Sequence, residues 1–531
     1  MSAPTATSAP PEPMSRRETL EALSGLLLVL FVSMISVTIV SVALPQIVGS
    51  LNGTQAQYTW VVTAAMLSGT AATPIWGKLA DLFSKKLLIQ VAIALFTIGT
   101  LACGFAQDTG QLIAFRVIQG LGMGALQVLV QVVIGAMISP KERGRYNGYL
   151  GAVMAVATVG GPLLGGVIAD SSVGWRWCFW VSVPFCVVAF VLLSKTLHLA
   201  DRRRPDVHID YLGATLIAAG VSILLIWVTF VDDRFAWISW QTGAMVGGSV
   251  LLLALATFVE SRVPEPVVPL RIVVRRVPAL SILASLAVGM AMFGGAVFLG
   301  QYFQIGRGYS PTEAGLLTIP MMAGTLFSAT ISGRMISRSG AVKSYIITGL
   351  VTLCLGFAGL STIDHDTPMW QIMVAMAFVG IGVGLSMQNL MLVLQNTVPL
   401  HELGAASGAL TFFRSLGGTI GVSVLGSVLA HRVADDIAAG LAKLGIKATG
   451  SASTGGTLNL DALPEPIRVV VRTAYGDATG HIFLISVGIA AVGLVAALFL
   501  PRVRLRETLD LVPEEGGGPA SAATARSETT K

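Results

Sequence analysis

The chain has 531 residues, 54% of them hydrophobic and only 12% charged. Soluble domains carry about 25% charged residues, so a water-soluble fold is excluded, and with it soluble enzymes and nucleic-acid binders. The net charge of +6 matters less than where its members lie.

In chain order, residues 1–15 are rich in Pro, Ala, Ser and Thr and are expected to be disordered. Arg16 and Arg17 then lead into an apolar run too long for a cleaved signal peptide and without a small-residue cleavage site. It predicts an uncleaved first span with the N-terminus in the cytoplasm. Apolar runs fall at 24–45, 58–76, 87–106, 111–137, 147–169, 177–194, 211–231, 241–259, 279–304, 314–334, 344–363, 369–396, 405–430 and 481–500. Crossing a bilayer takes about 20 residues of helix. The pattern predicts an all-α membrane protein with fourteen transmembrane helices and both termini on one side.

Of the 34 Lys and Arg residues, the short outer loops hold only Arg176, Arg234 and Arg307. Five lie in a long outer segment and two inside spans, and the rest fall in the cytoplasmic tails and loops. Positive charge stays inside, and a shift of one span would destroy this asymmetry. The long outer segment, 431–480, opens with the helix-patterned RVADDIAAGLAKLGI. It reads either as an external lid or docking element or as a connector on the membrane surface. The tail after Arg506 is acidic, then rich in Gly, Ala, Ser and Thr, and is expected to be disordered. Four cysteines, Cys103, Cys178, Cys186 and Cys354, lie in apolar runs without ligand or redox spacing and read as small buried hydrophobes.

The fourth and fifth runs carry the most information. Arg116 stands well inside LIAFRVIQGLGMGALQVLVQ, where a charge is costly and marks function. Arg116, Gln119, Gly120, Met123, Gln127 and Gln131 share one narrow helical face, the pattern of a wall on a water-filled cavity. The fifth run spaces Gly151, Gly161, Pro162, Gly165 and Gly166 so that helix backbones can approach closely, and Pro162 kinks its helix.

LxxxRxxQGxG at Leu112–Gly122 and GxxxxxxxxxGPxxGG at Gly151–Gly166 resemble two motifs of the major facilitator superfamily, the second being the motif of its antiporters. WRWCFWVSVP, Trp175–Pro184, is similar to the signature of the fourteen-span drug:proton antiporter branch, the EmrB/QacA type. The resemblance implies two six-helix bundles, 24–194 and 279–500, that rock about a central site. Two extra helices (spans 7 and 8) are inserted at 195–278 with basic loops, and the tails are 1–23 and 501–531. GKLADLFSKK, Gly77–Lys86, resembles the superfamily's loop motif, matching at Gly77, Asp81, Lys85 and Lys86. The implied role is a latch closing the inner side, with a charged topology loop as the plainer alternative. SGRMISRSGAVK (Ser332–Lys343), with Gly333, Arg338 and Lys343, is the matching copy in the second half. Ser337 stands there in place of the acid, so the inner gate is expected to be asymmetric.

By the same resemblance, Arg116 is implicated in proton coupling or in ordering the cavity; the alternative is a structural charge satisfied by backbone carbonyls. Arg414, in span 13, reads either as a second cation facing the cavity or as one snorkelling to the cytoplasmic interface. Ser36, Gln119, Gln127, Gln301 and Asn389 are further cavity candidates, with Ser33, Thr38, Gln304, Gln388 and Gln395 beside them. The first span departs from the family: ISVTIVSVALP has Ser36 where an acid is usual and Ser41 where asparagine is. No Asp, Glu or His lies deep in any span; the nearest, such as Asp81, Asp170, Glu260 and His365, lie at rims. Coupling then uses a rim acid such as Asp81, or the substrate itself carries the proton or the negative charge.

The expectation is an exporter of small amphipathic compounds in the cytoplasmic membrane, working by alternating access and coupled to the proton gradient. It needs no cofactor or metal, and its partners are the lipid bilayer and a small-molecule substrate. A narrow exporter of one neutral or anionic compound is the alternative, and a membrane enzyme or sensor a remote one. No GxxxxGK[ST] phosphate loop is present.

Overall fold

The computed structural model describes residues 16–51, 55–171, 174–197, 199, 210–231, 236–263, 266–268, 270–309, 311–443 and 464–506. Its long helices are α1 (Arg16–Ser50), α2 (Gln55–Leu82), α3 (Lys85–Phe105), α4 (Thr109–Met137), α5 (Pro140–Asp170), α6 (Val183–Thr196) and α7 (Tyr211–Phe230). They continue as α8 (Trp240–Glu260), α9 (Arg276–Gln301), α10 (Ile319–Ser339), α11 (Val342–Leu360), α12 (Met369–Asn396), α13 (Leu403–Lys443) and α14 (Glu465–Leu498). A π-helical turn, Tyr302–Gly306, follows α9. Local chemistry sets the ends. Asp108 accepts the Gln111 N–H at 2.9 Å to start α4, Asp210 does the same for α7 through Gly213, and Ser239 for α8 through Thr242. Gly340, at φ +68°, ends α10.

Among the described residues, twelve helices are long and apolar enough to cross a membrane, against the fourteen expected. α2 and α5 are not among the twelve: small residues dominate α2 and lower its hydropathy, while several side chains of α5 lie outside the described residues to which the count is confined.

The segment expected on the outer side at 431–480 is helical at both of its described ends. α13 runs unbroken to Lys443 and α14 begins at Glu465, with 444–463 outside the described residues. RVADDIAAGLAK extends the helix of the span because its apolar positions, Val433, Ile437 and Leu441, form one buried stripe at helical spacing.

One apolar core joins α9 to α14 around Tyr302, Phe303, Phe357 and Phe483. Two others gather α1 to α6, and the first of them reaches across to Met391 and Leu394 of α12 and to Leu403 and Leu410 of α13. A fourth seats α7 and α8 on the seam of α2 and α13, through Ile217, Val221 and Leu225 against Ala71, Phe412 and Leu416. The two halves of the chain meet along two seams, α2 with α13 and α5 with α10. Glycine makes the α5 contacts possible. A Cβ on Gly165 would lie 2.6 Å from the Ile39 carbonyl oxygen of α1, and one on Gly161 would collide with Thr38 Oγ1, which donates to the Ala157 carbonyl at 3.1 Å. On α5's other side, a Cβ on Gly151 would lie 2.9 Å from Ala329 of α10. Pro162 and Gly166 lie in the same helix, their side-chain surroundings outside the described residues.

Candidate functional site

The ends of α2, α12 and α14 and the starts of α5, α9, α11 and α13 converge on one face, rich in Lys and Arg. There Asp81, in the last turn of α2, accepts the N–H groups of Gly404 and Ala405, each at 2.7 Å. These donors belong to the first turn of α13, where no intrahelical acceptor exists and the helix dipole favours an anion. The carboxylate reaches them because Gly77 lies against Gly404, where a Cβ would come within 2.6 Å of the Gly404 carbonyl oxygen. Lys85 and Lys86 open α3 on the same face, both partly buried.

The second copy of the motif does something else. Gly333 is buried in α10 and Arg338 is exposed in its last turn. Ser337 donates back to the Gly333 carbonyl at 3.0 Å, and Lys343 Nζ donates to the Leu498 carbonyl at the end of α14, at 2.8 Å. This copy ties α11 to α14 within the second half.

A second closure across the seam involves residues that sequence reasoning assigned no such role. Arg143, at the start of α5, donates to the Gly135 carbonyl at 2.7 Å, to the Ile138 carbonyl at 2.9 Å and to Gln395 Oε1 of α12 at 2.5 Å. Gln395 Nε2 donates to Ser407 Oγ of α13 at 2.9 Å, and one layer deeper Gln131 Nε2 of α4 donates to Gln388 Oε1 at 3.3 Å. The segment 501–506, expected as the start of the C-terminal tail, straps this closure. Arg506 donates to the Gln395 and Val398 carbonyls, each at 3.0 Å, while the Lys141 N–H donates to the Arg506 carbonyl at 3.2 Å. Residues 507–531 lie outside the described ones. In SPKERGRYN, Arg143 looked like one more topology charge; nothing in its spacing marks carbonyl partners.

Arg116 is only 4% exposed. Its Nε donates to the Val61 carbonyl at 3.1 Å and its Nη1 to Gln119 Oε1 at 2.7 Å. Gln119 Nε2 then donates to Thr100 at 2.9 Å and Ser36 at 3.3 Å. The network ties α1, α2, α3 and α4 together, so the stripe around Arg116 is a buried tie at this level and not an open wall. Gln127 is half-buried further along α4. Asn389 donates to its own helix, at the Leu385 carbonyl, 2.7 Å away. Gln301 is exposed at the far end of α9, apart from the others. Arg414 is buried in α13 without reaching the interface by snorkelling. Among the described residues no cluster of His, Cys, Asp or Glu could hold a metal ion.

On the opposite face, His365 lies in the loop between α11 and α12. Its Nδ1 is 3.0 Å from Asp477 Oδ1 of α14 and its Nε2 3.1 Å from Asp366. Arg307 donates to the carbonyls of His365 and Thr367, and Tyr302 to that of Asp364 at 2.7 Å. The hydrogen bond to Asp477 raises the His365 pKa above its usual value near 6.5, with the charges of Asp477 and Asp366 acting the same way. A raised pKa means that the tie is fully present below that usual value and is lost as pH rises through the folded one. Hydrogen exchange of 361–368 is therefore expected to speed up from mildly acidic to mildly alkaline pH, and His365→Ala to abolish that dependence.

The model of the Major Facilitator Superfamily matches residues 26–422. The chain is 31% identical to the multidrug transporter protein MdtP of Bacillus subtilis, over 91% of this chain and 93% of that one. It is 32% identical to the efflux pump dotC of Dothistroma septosporum, over 92% and 84%. It is also 32% identical to an uncharacterized MFS-type transporter of Mycobacterium tuberculosis, over 91% of this chain and 69% of that one. Its fold is similar to that of the proton:xylose symporter XylE, with a TM-score of 0.59 at 14% identity, covering 93% of this chain and 99% of that one. A membrane-embedded helical body whose halves meet along two seams closed by polar groups, together with these matches, places the chain in the Major Facilitator Superfamily, as a transporter and not an enzyme.

Proposed function

We propose that the chain exports small amphipathic compounds, antibiotics among them, by alternating access, as a proton-coupled antiporter of the EmrB/QacA type. The pair of polar closures on the basic face carries this reading. Asp81 with the α13 N-terminus and Arg143 with Gln395 each join the two halves by a few hydrogen bonds. Such closures can break while each half stays packed. The relatives named multidrug transporter and efflux pump support export. In this reading α2 and α5 also cross the membrane, making fourteen crossings, because helices lining a seam need small residues more than bulky apolar ones. The two bundles are 24–194 and 279–500, with α7 and α8 inserted between them. The charge asymmetry supports a cytoplasmic basic face, both termini inside, in the plasma membrane. The proton gradient is the energy source, and Asp81 is the titratable group at a closure. A narrower exporter of a neutral or anionic compound is the second reading, favoured by the lack of acids deep in the spans.

The test is ethidium efflux from cells stripped of their own pumps. A protonophore is expected to stop it and Asp81→Asn to slow it. Well-inserted protein that moves no ethidium would favour the narrower exporter.

A further inference from the structure

Arg414 stands three turns into α13 and is 8% exposed. Its Nη1 has no hydrogen-bond partner, and among the described residues no carboxylate pairs with it. A buried guanidinium N–H without an acceptor is costly, and Arg116 and Arg143 both have carbonyl and amide oxygens to accept from them, so Arg414 Nη1 calls for a ligand. Further buried polar atoms without partners lie within about one turn of this level, among them Gln388 Nε2 of α12, Thr411 Oγ1 of α13 and Ser285 Oγ of α9.

The level follows from the helices themselves. Gln395 and Ser407 are hydrogen-bonded at 2.9 Å in the closure on the basic face. α12 runs toward that face and α13 away from it. Gln388 precedes Gln395 by two turns and Arg414 follows Ser407 by two turns, so both stand about 10 Å above the closure. Gln388 Oε1 is already taken by Gln131 of the other half, which leaves only its NH2 group to offer. On α9, Gly289 lies against Arg414, where a Cβ would be 3.1 Å from Arg414 Cγ, and Ser285 is one turn closer to the gate. Every group at this level can donate a hydrogen bond, one carries a fixed positive charge, and none is an anion. A cationic ligand would find no counter-charge here; an oxyanion would find a donor set and a guanidinium fork.

We infer that Arg414, with Gln388 and Thr411, binds a carboxylate of the transported compound, so that the cargo is an acidic amphipath. The cargo role rests on the exporter reading above; the anion site does not. The site lies just above the closed gate, where a bound anion leaves toward the opposite face and cannot slip back through the Arg143–Gln395 closure.

The test uses the purified full chain in lipid nanodiscs with carboxyfluorescein, a dye bearing carboxylates, and reads binding by fluorescence anisotropy. The wild type is expected to bind, Arg414→Gln to weaken binding at least about tenfold, and Arg414→Lys to keep most of it. Thermal unfolding guards against mere misfolding. An unpaired buried cation is a cost to the empty protein, so Arg414→Gln without dye is expected to melt no lower than the wild type. Equal dye affinity in wild type and Arg414→Gln would overturn the inference, as would a melting point that falls together with binding. Chloride that stabilises the wild type but not Arg414→Gln, while the dye fails to bind, would also overturn it, leaving an inorganic-anion site. The two readings fail separately. Dye bound by the purified chain but retained in dye-loaded cells would sink export and leave the site. Ethidium efflux without dye binding would sink the site and leave export.

Discussion

Asp81→Ala is expected to open the basic face. The change removes an anion that accepts two N–H groups of α13, each at 2.7 Å, and leaves those donors facing Gly77 with no replacement. Hydrogen bonds to a charged partner contribute about 1.5–3 kcal/mol each, and two sharing one carboxylate together offer about 3 kcal/mol. That shifts a two-state gate by roughly a hundredfold. Ser407→Cys supplies the probe: Ser407 is fully buried within the closure, where a thiol still accepts weakly from Gln395, so a bulky thiol reagent reaches it only when the gate opens. In membrane vesicles exposing the basic face, labelling of Ser407→Cys should accelerate by at least tenfold when Asp81→Ala is added. Asp81→Asn, which keeps one acceptor oxygen, should fall between. Unchanged labelling would show that the Asp81 contact does not hold the halves together.

How much of this was legible in the sequence depends on what kind of partner each residue has. Asp81 was visible because its loop has a recognisable spacing, and Gly77 because it must be small. Their partners are backbone groups of Gly404 and Ala405, which leave no mark beyond the start of a helix. Arg116 was legible as a buried charge, but the Val61 carbonyl that accepts from it belongs to a helix whose sequence gives no hint of it. Its place on a family-typical inner helix put Gln301 among the cavity groups, although it lies at the far end of α9, beside the π-helical turn at Tyr302–Gly306. α2 shows the limit of hydropathy itself: its small residues suit close packing along a seam and weaken the signal by which a crossing helix is recognised. Arg143 and Arg506 were hidden by their setting, since a basic loop between spans satisfies the charge rule whether or not any member of it is buried.

Arg143→Ala is expected to be the costliest single change at the basic face. Its guanidinium, 3% exposed, serves the Gly135 and Ile138 carbonyls at the end of α4 and Gln395 Oε1 across the seam. Truncation leaves three buried acceptors bare, and an unsatisfied buried acceptor costs about 1–3 kcal/mol. Both thermal stability and gate closure should suffer, read as a lower melting point and faster labelling of Ser407→Cys. Gln395→Ala separates the two effects: it removes the reach across the seam and leaves the α4 carbonyls satisfied, so labelling should rise with little change in melting. Arg143→Lys should behave more like alanine than like arginine, because an ammonium on a flexible stem cannot hold a planar fork of three acceptors. If Arg143→Ala changed neither melting nor labelling, the second closure would be a contact without consequence. The two latches are electrostatic opposites, an anion on the N-terminus of α13 and a cation on the C-terminus of α4, each matched to the helix dipole it meets. Arg143 keeps its charge at every physiological pH, whereas protonation discharges Asp81. Only one of the two can therefore respond to a proton, so in the proton-coupled reading proposed above the pH dependence of Ser407→Cys labelling is expected to vanish in Asp81→Asn and to persist in Gln395→Ala.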